Sequence, residues 1–270
     1  MGLSIAGGGY GYTEADVASN PTLRLEEVHM EMNSWALKYI RTFEMLDKSA
    51  RLDLTQGYQK GTWTGLINGA PASTERSGWM DTVARLSVNL YGAPPLKGKE
   101  YAAYRAANTI TTIVGAALAV HLPTGEYVND RLINLGGNRF TIRPQIGVVH
   151  DRYNWTLEAG AAAWFYTEND DFFGDSKLEN DPLYVFQSHV IYTWESGLWA
   201  GVGAAFATGK QSTVDGLELD DRKEIRSWSL STGYPLTRDW GIKVSYVGTR
   251  RQSTSGSDTD TFALAISHFW

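Results

Sequence analysis

The sequence predicts an all-β protein, a transmembrane antiparallel β-barrel of about 12 strands with short periplasmic turns and longer extracellular loops. Three observations predict it. Apolar and polar residues alternate with period two in segment after segment, as they do when one strand face meets an apolar phase and the other something wetter. Ten Trp, fourteen Tyr and nine Phe make a heavy aromatic load, and Trp and Tyr favour the membrane–water boundary. No apolar run approaches the length of a helical span, since the longest, Ile113 to Val120, has eight residues.

Strands are expected at 2–13, 23–45, 49–65, 79–91, 108–123, 138–150, 154–167, 182–194, 197–208, 222–236, 239–250 and 259–270. The first is rich in glycine, with Gly7, Gly8, Gly9 and Gly11. In the second, the apolar phase moves from Val28, Met30 and Met32 to Trp35, Leu37 and Tyr39, which predicts a bulge near Asn33. In the fourth, Ala84, Leu86, Val88 and Leu90 alternate with Arg85, Ser87 and Asn89. In the sixth, Ile142, Ile146 and Val148 alternate with Arg143, Gln145 and Gly147. In the last, Phe262, Leu264, Ile266, His268 and Trp270 oppose Ala263, Ala265 and Ser267. Most segments are long enough to cross a bilayer as tilted strands of about 9–11 residues. A soluble two-sheet sandwich would also alternate, but it would not gather Trp and Tyr at its strand ends.

The connections alternate in length. Short ones fall at 46–48, 151–154, 195–197 and 235–239, and long polar ones at 14–22, 66–78, 124–137, 168–181, 209–221 and 251–258. The exception is 92–107, which should be a short turn; there Lys99 to Ala106 lacks helix breakers and predicts a two-turn periplasmic helix. An even strand count places both chain ends on the periplasmic side. Residues 1–270 read as one barrel domain, with no repeat and no low-complexity tract. Localisation in a bacterial outer membrane is expected. The first residues lack a basic and then apolar leader pattern, so any signal peptide lies outside this chain.

Several function classes fall away. A net charge of −6 argues against nucleic acid as a partner, and the absence of Cys removes thiolate chemistry. No His-Glu-x-x-His, P-loop or dinucleotide fingerprint occurs, so no cofactor is expected. The acidic loop Glu168-Asn169-Asp170-Asp171, with Asp175, Glu179 and Asp181, lacks EF-hand spacing and reads as a solvated surface loop, so no metal site is assigned; a divalent ion bridging it to lipopolysaccharide phosphates is the sharper alternative. None of the five histidines sits in a His-x-Ser-Asn context, and no catalytic residue is assigned.

The inward phase is more informative. It places Asp53, Asp81, Arg85, Arg143, Glu158 and Lys243 in the lumen, with Arg51, and adds His121 and His189 as polar wall residues. Between them fall many small residues, such as Gly115, Ala117, Gly160, Gly203, Ser229 and Ala265. A twelve-stranded barrel so lined should not be solid. Arg85 and Arg143 are expected either to pair with Asp81 and Glu158 or to stand free for a solute.

Four stretches give a resemblance to a known family. They are Tyr39-Ile40-Arg41-Thr42-Phe43, Leu90-Tyr91-Gly92-Ala93-Pro94, the pair Leu122-Pro123-Thr124-Gly125-Glu126-Tyr127 and Leu132-Ile133-Asn134-Leu135-Gly136-Gly137-Asn138-Arg139-Phe140, and Tyr166-Thr167-Glu168-Asn169-Asp170. The chain resembles the outer-membrane channels grouped under the MetA-pathway of phenol degradation, over most of residues 23–270. The resemblance implies a monomeric channel, often linked to uptake of aromatic or other poorly water-soluble carbon sources, and no catalytic residues. Expected partners are outer-membrane lipid, lipopolysaccharide and small-molecule solutes. The competing expectations are a closed structural or adhesive barrel and an outer-membrane lipid hydrolase.

Overall fold

A computed structural model describes residues 1–18, 25–253 and 255–270. In chain order the strands are β1 (Ser4–Val17), β2 (Leu25–Met45), β3 (Lys48–Ile67), β4 (Ala70–Trp79), β5 (Val83–Tyr91), β6 (Ile110–His121), β7 (Thr141–Arg152) and β8 (Trp155–Tyr166). After them come β9 (Asn169–Phe172), β10 (Ser176–Asn180), β11 (Leu183–Thr193), β12 (Trp199–Gly209), β13 (Ser212–Val214) and β14 (Leu217–Glu218). The chain ends with β15 (Lys223–Pro235), β16 (Trp240–Arg251) and β17 (Ser257–Phe269), and the helix α1 (Gly98–Ala107) joins β5 to β6.

β4 and β5 are two pieces of one wall strand, since both pair with β3. The wall therefore has twelve strands, each antiparallel to its neighbours, and β1 closes it by pairing with both β17 and β2. A closed barrel is one of two ways a chain can satisfy its backbone hydrogen bonds inside a bilayer, because no edge is left. Strands β9, β10, β13 and β14 form a separate small sheet in the extracellular loops.

Which face is outside follows from exposure and chemistry. Leu37, Ile146, Val202 and Leu230 are all more than half exposed, and each alternates with a small or polar residue. Two aromatic belts bound this apolar surface. On one side Tyr10, Trp35, Tyr58 and Trp79 form a ladder across neighbouring strands, with ring centroids 5.4 to 6.0 Å apart. On the other, Trp155, Tyr192 and Trp194 touch one another, and Trp240, His268, Trp270 and Tyr39 form a second chain of contacts.

All twelve expected strands are present, and the expected helix at 99–106 is α1. Three expectations change. The loop expected at 66–78 is a two-residue hairpin: β3 runs to Ile67 and β4 starts at Ala70. Asn68 and Gly69 make the turn with φ of 53° and 75°, the left-handed pair that an Asn-Gly hairpin adopts. The bulge expected near Asn33 lies instead between Glu26 and His29, and the β2–β3 register is unbroken from His29 to Met45. Val28, Met30 and Met32 thus keep the inward phase of Lys38; the apolar switch marks the height where the outward face leaves lipid. The first strand, expected to end at 13, continues to Val17, and residues 19–22 of the loop expected after it lie outside the described residues.

The join between β4 and β5 has a consequence for the lumen. Tyr58 faces Trp79 and Thr55 faces Val83, so Met80 to Thr82 add one residue to the wall strand. A one-residue slip exchanges the two faces of a strand. Trp79 points out to lipid, and Arg85, six residues on, points in.

The in–out assignment is testable. Leu86→Arg places a charge on the lipid face and should cost about 2–4 kcal/mol near the midplane. Ser229→Arg, on the inner face, should fold normally. Liposome insertion followed by gel mobility with and without boiling measures both; equal folding of the two variants would reverse the assignment.

Candidate pore and its lining

The inner face is built from strand positions two residues apart, and small side chains at most of them keep it from filling. One cavity of about 360 Å³ lies at mid-lumen against Arg51, Arg85, Gln145, Glu158, Gln187 and His189. A second of about 740 Å³ lies at the periplasmic end, between the wall and α1. Both touch Arg51, Ser87, Asn89 and Ile113, so the two spaces adjoin across these residues.

Helix α1 narrows the periplasmic mouth and is tied there. Arg105 donates to Asp151 at 2.7 Å and to Thr111 at 3.3 Å, while Thr156 donates to the second carboxylate oxygen of Asp151 at 2.7 Å. The Tyr104 hydroxyl donates to the Gly92 carbonyl at 3.2 Å.

Asp53 is the centre of the charged waist. It is 3 % exposed, and Arg85, directly opposite on β5, donates to it twice, at 2.7 and 2.5 Å. Arg51 approaches its other oxygen at 3.1 Å. Lys38 and Lys243 lie close enough to feel this cluster, and Lys243 also sits 5.9 Å from the ring of the inward Trp199. Asp53 thus faces two arginines with Lys38 near them, and the Glu158 carboxylate lines the same cavity.

The other expected wall residues divide by height. Asp81 falls in the added residues between β4 and β5, and its two oxygens accept the backbone N–H groups of Gly125 and Gly137, each at 2.9 Å. It pins the extracellular loop 122–139 rather than pairing with an arginine. Glu158 and His189 face each other across β8 and β11 at 3.7 Å. His189 and the Ser229 hydroxyl approach the same point beside Gly203. No hydrogen bond joins these three residues, and the ladders of β11, β12 and β15 consume the nearby backbone N–H groups that an oxyanion would need.

Above the waist lies an arrangement that the sequence reading did not assemble. Trp164 and Tyr166 continue the inward phase of Glu158 on β8. Arg143 lies over the Trp164 ring at 4.4 Å and Arg139 over the Tyr166 ring at 4.8 Å. His121 leans on Trp164 at 5.3 Å, and the Lys210 ammonium is 5.2 Å from Tyr166. Arg143 makes no ion pair with Asp81 or Glu158, and among the described residues it has no acidic partner. Burial, then the charges of Arg139 and Lys223, push the Lys210 ammonium down to about 8. Extending the Glu158 phase by four steps would have found Trp164 and Tyr166; the arginines above them needed the strand register.

The acidic extracellular loop carries its own cation. Lys177 bridges Glu168 at 2.8 Å and Glu179 at 3.0 Å, which holds Glu168 below its usual range.

Comparison with known proteins places this barrel. No curated protein sequence matches it. The structure is similar to the COG4313 outer membrane channel from Pseudomonas putida F1, with a TM-score of 0.81 and 20 % identity over 100 % of this chain and 96 % of that one. More distantly it is similar to the transport unit of the autotransporter AIDA-I from Escherichia coli, at a TM-score of 0.56 and 9 % identity over 99 % and 90 % of the two chains. The β domain of the Bordetella autotransporter BrkA gives 0.54 and 8 % over the full length of both. At these identities the likeness concerns the fold. Residues 11–264 match the family model, and the chain belongs to the family described as MetA-pathway of phenol degradation.

Proposed function

We propose that this protein is a passive diffusion channel of a bacterial outer membrane, for aromatic or other poorly water-soluble carbon sources. The observation that carries the reading is that the inner face is not filled: one space lies at the charged waist and a second adjoins it at the periplasmic mouth. Its wall is uneven. Asp53, Arg85, Arg143, Glu158 and His189 stand on neighbouring strands, whereas β12, β15 and β17 present Gly203, Ser229, Ser231 and Ala263. A ring slides along the second wall while the first fixes a polar group. The family and the fold of the P. putida channel support the same reading. The protein acts as a monomer in lipid and lipopolysaccharide, with Asp53, Arg85, Arg143, Glu158, His121, His189 and Lys243 lining the path and Asp81 holding its outer rim.

Single-channel recording in a planar bilayer tests this. Discrete conductance steps with wild-type protein are expected; their absence would favour a closed structural barrel. Arg105→Ala removes the anchor of α1 and should raise unitary conductance, because the helix then no longer narrows the periplasmic mouth. An unchanged conductance in a correctly folded variant would place the constriction elsewhere.

Charge at the waist gives the second test. Asp53→Asn removes the carboxylate that Arg51 and Arg85 share. Reversal potential in a salt gradient should move toward anions, because lumen charges are focused by their low-dielectric walls. Replacing Arg85 and Arg143 together with Gln should move it the other way. The loss of charge-assisted bonds in Asp53→Asn should cost on the order of 1.5–3 kcal/mol of stability, less where lumen water screens them.

A further inference from the structure

The geometry points to a two-step anion-binding ladder in the extracellular half of the lumen, Arg139 on Tyr166 above Arg143 on Trp164, that selects aromatic carboxylates. The inference deepens the channel reading and rests on it. Three features carry it.

The first is unspent donor capacity. The Arg143 Nε, the Arg139 Nη1 and the His121 Nε2 atoms are all buried without a hydrogen-bond partner. Buried polar groups are nearly always satisfied, so three orphans in one region call for a ligand. Stacking on a ring occupies only the face of a guanidinium. Its edge, where the N–H groups point, stays free to grip a carboxylate side-on.

The second is that, among the described residues, no carboxylate pairs with Arg139 or Arg143. At the waist, Arg51 and Arg85 share Asp53. At the ladder, the nearest carboxylates are spent on other donors. Asp81 holds Gly125 and Gly137, and Asp221 takes both the N–H and the hydroxyl of Ser212, each at 2.7 Å. Arg139 has a single neutral partner, the Asn180 side-chain oxygen. Lys210 adds a third cation beside Arg139. Such a concentration of positive charge with low exposure is unstable alone, and an incoming anion relieves it.

The third is the room for a ring. Ala162 and Val185, paired on β8 and β11, line the mid-lumen cavity on the waist side of the ladder. This wall is apolar, and beside it Arg143 and Trp164 are not paired in the β7–β8 backbone register. The β7–β8 pairing is interrupted between Ile142 and Gln145, where Pro144 donates no N–H. The rings that Arg139 and Arg143 cover, Tyr166 and Trp164, are two residues apart on β8, about 7 Å along the strand, which suits transfer from the first to the second. Arg143 in turn feels the charge of Arg85, so the path leads on to the waist.

Benzoate binding to the detergent-solubilised barrel, read by ligand-observed NMR, tests the site without relying on conductance. Arg139→Gln with Arg143→Gln should weaken it about tenfold or more. Lys210→Met, which leaves both arginines, should weaken it less. Benzyl alcohol and acetate should bind far more weakly than benzoate to wild type, since each lacks one half of the ligand. Liposome uptake should rank the three in the same order, and only in wild type. Conductance with no loss of benzoate binding in the folded double Gln variant would overturn the ladder and keep the channel. Binding without conductance would overturn the channel and keep the site. Acetate binding as tightly as benzoate would overturn the aromatic selectivity.

Discussion

Everything in this molecule depends on closing the wall at β1. Inside lipid no water is available to a free N–H or carbonyl, so a twelve-stranded sheet with one unpaired edge is not a viable state. The seam between β1 and β17 pairs thirteen consecutive positions, from Ile5 with Phe269 to Val17 with Ser257. It requires glycine at its tightest point. A Cβ on Gly7 would stand 2.9 Å from the Ile266 carbonyl oxygen, and one on Gly9 would stand 3.3 Å from that of Leu264. What looks in the sequence like a flexible Gly-rich start is a part of the wall where a side chain would crowd the neighbouring backbone.

With the outer face committed to lipid and the backbone to the ladders, only the inner side chains remain free to vary. That freedom is used unevenly. Asp53 draws Arg51 and Arg85 together, and its burial means that removing it would leave two arginines with no partner. The cations are therefore held in place at the waist and left unpartnered higher up. Pre-organised charge that the chain itself does not neutralise is what a site for a passing anion needs, whereas pairs such as Arg105 with Asp151 serve to hold a structural element.

The legible part of the sequence was the part in contact with lipid. Period two appears wherever one face meets hydrocarbon, so each wall strand could be placed. It disappears above the membrane. The upper halves of β3 and β4 are wet on both faces, and the run from Ala70 to Ser77 contains Pro, Ser, Thr, Glu and Arg with no apolar rhythm. It reads as a loop although it is a hairpin, and the Asn68-Gly69 pair was the only local sign. The same reason hides the small sheet of β9, β10, β13 and β14. Inside the lumen the difficulty differs. Arg85 meets Asp53 only because Met80 to Thr82 add one residue, and pairing read from charge alone chose Asp81 and Glu158 instead. Charges in a wall are near neighbours through register, which period two does not report.

For the proposed channel, the uneven lumen supplies a physical reason to favour poorly soluble molecules. A uniformly charged pore would keep its water ordered around fixed ions and charge an apolar ring the full cost of displacing it. A uniformly apolar one would have nothing to orient a solute and would bury any polar group it carries without a partner. Here the small side chains of β12, β15 and β17 offer a ring a surface that binds water weakly, and the arginines of β5 and β7 hold a polar group on the opposite side. In that reading neither contact alone traps the solute, because the ring and the polar group are held by different walls. A diffusion channel needs that balance: attraction sufficient for entry, divided among several positions so that none becomes the end of the path.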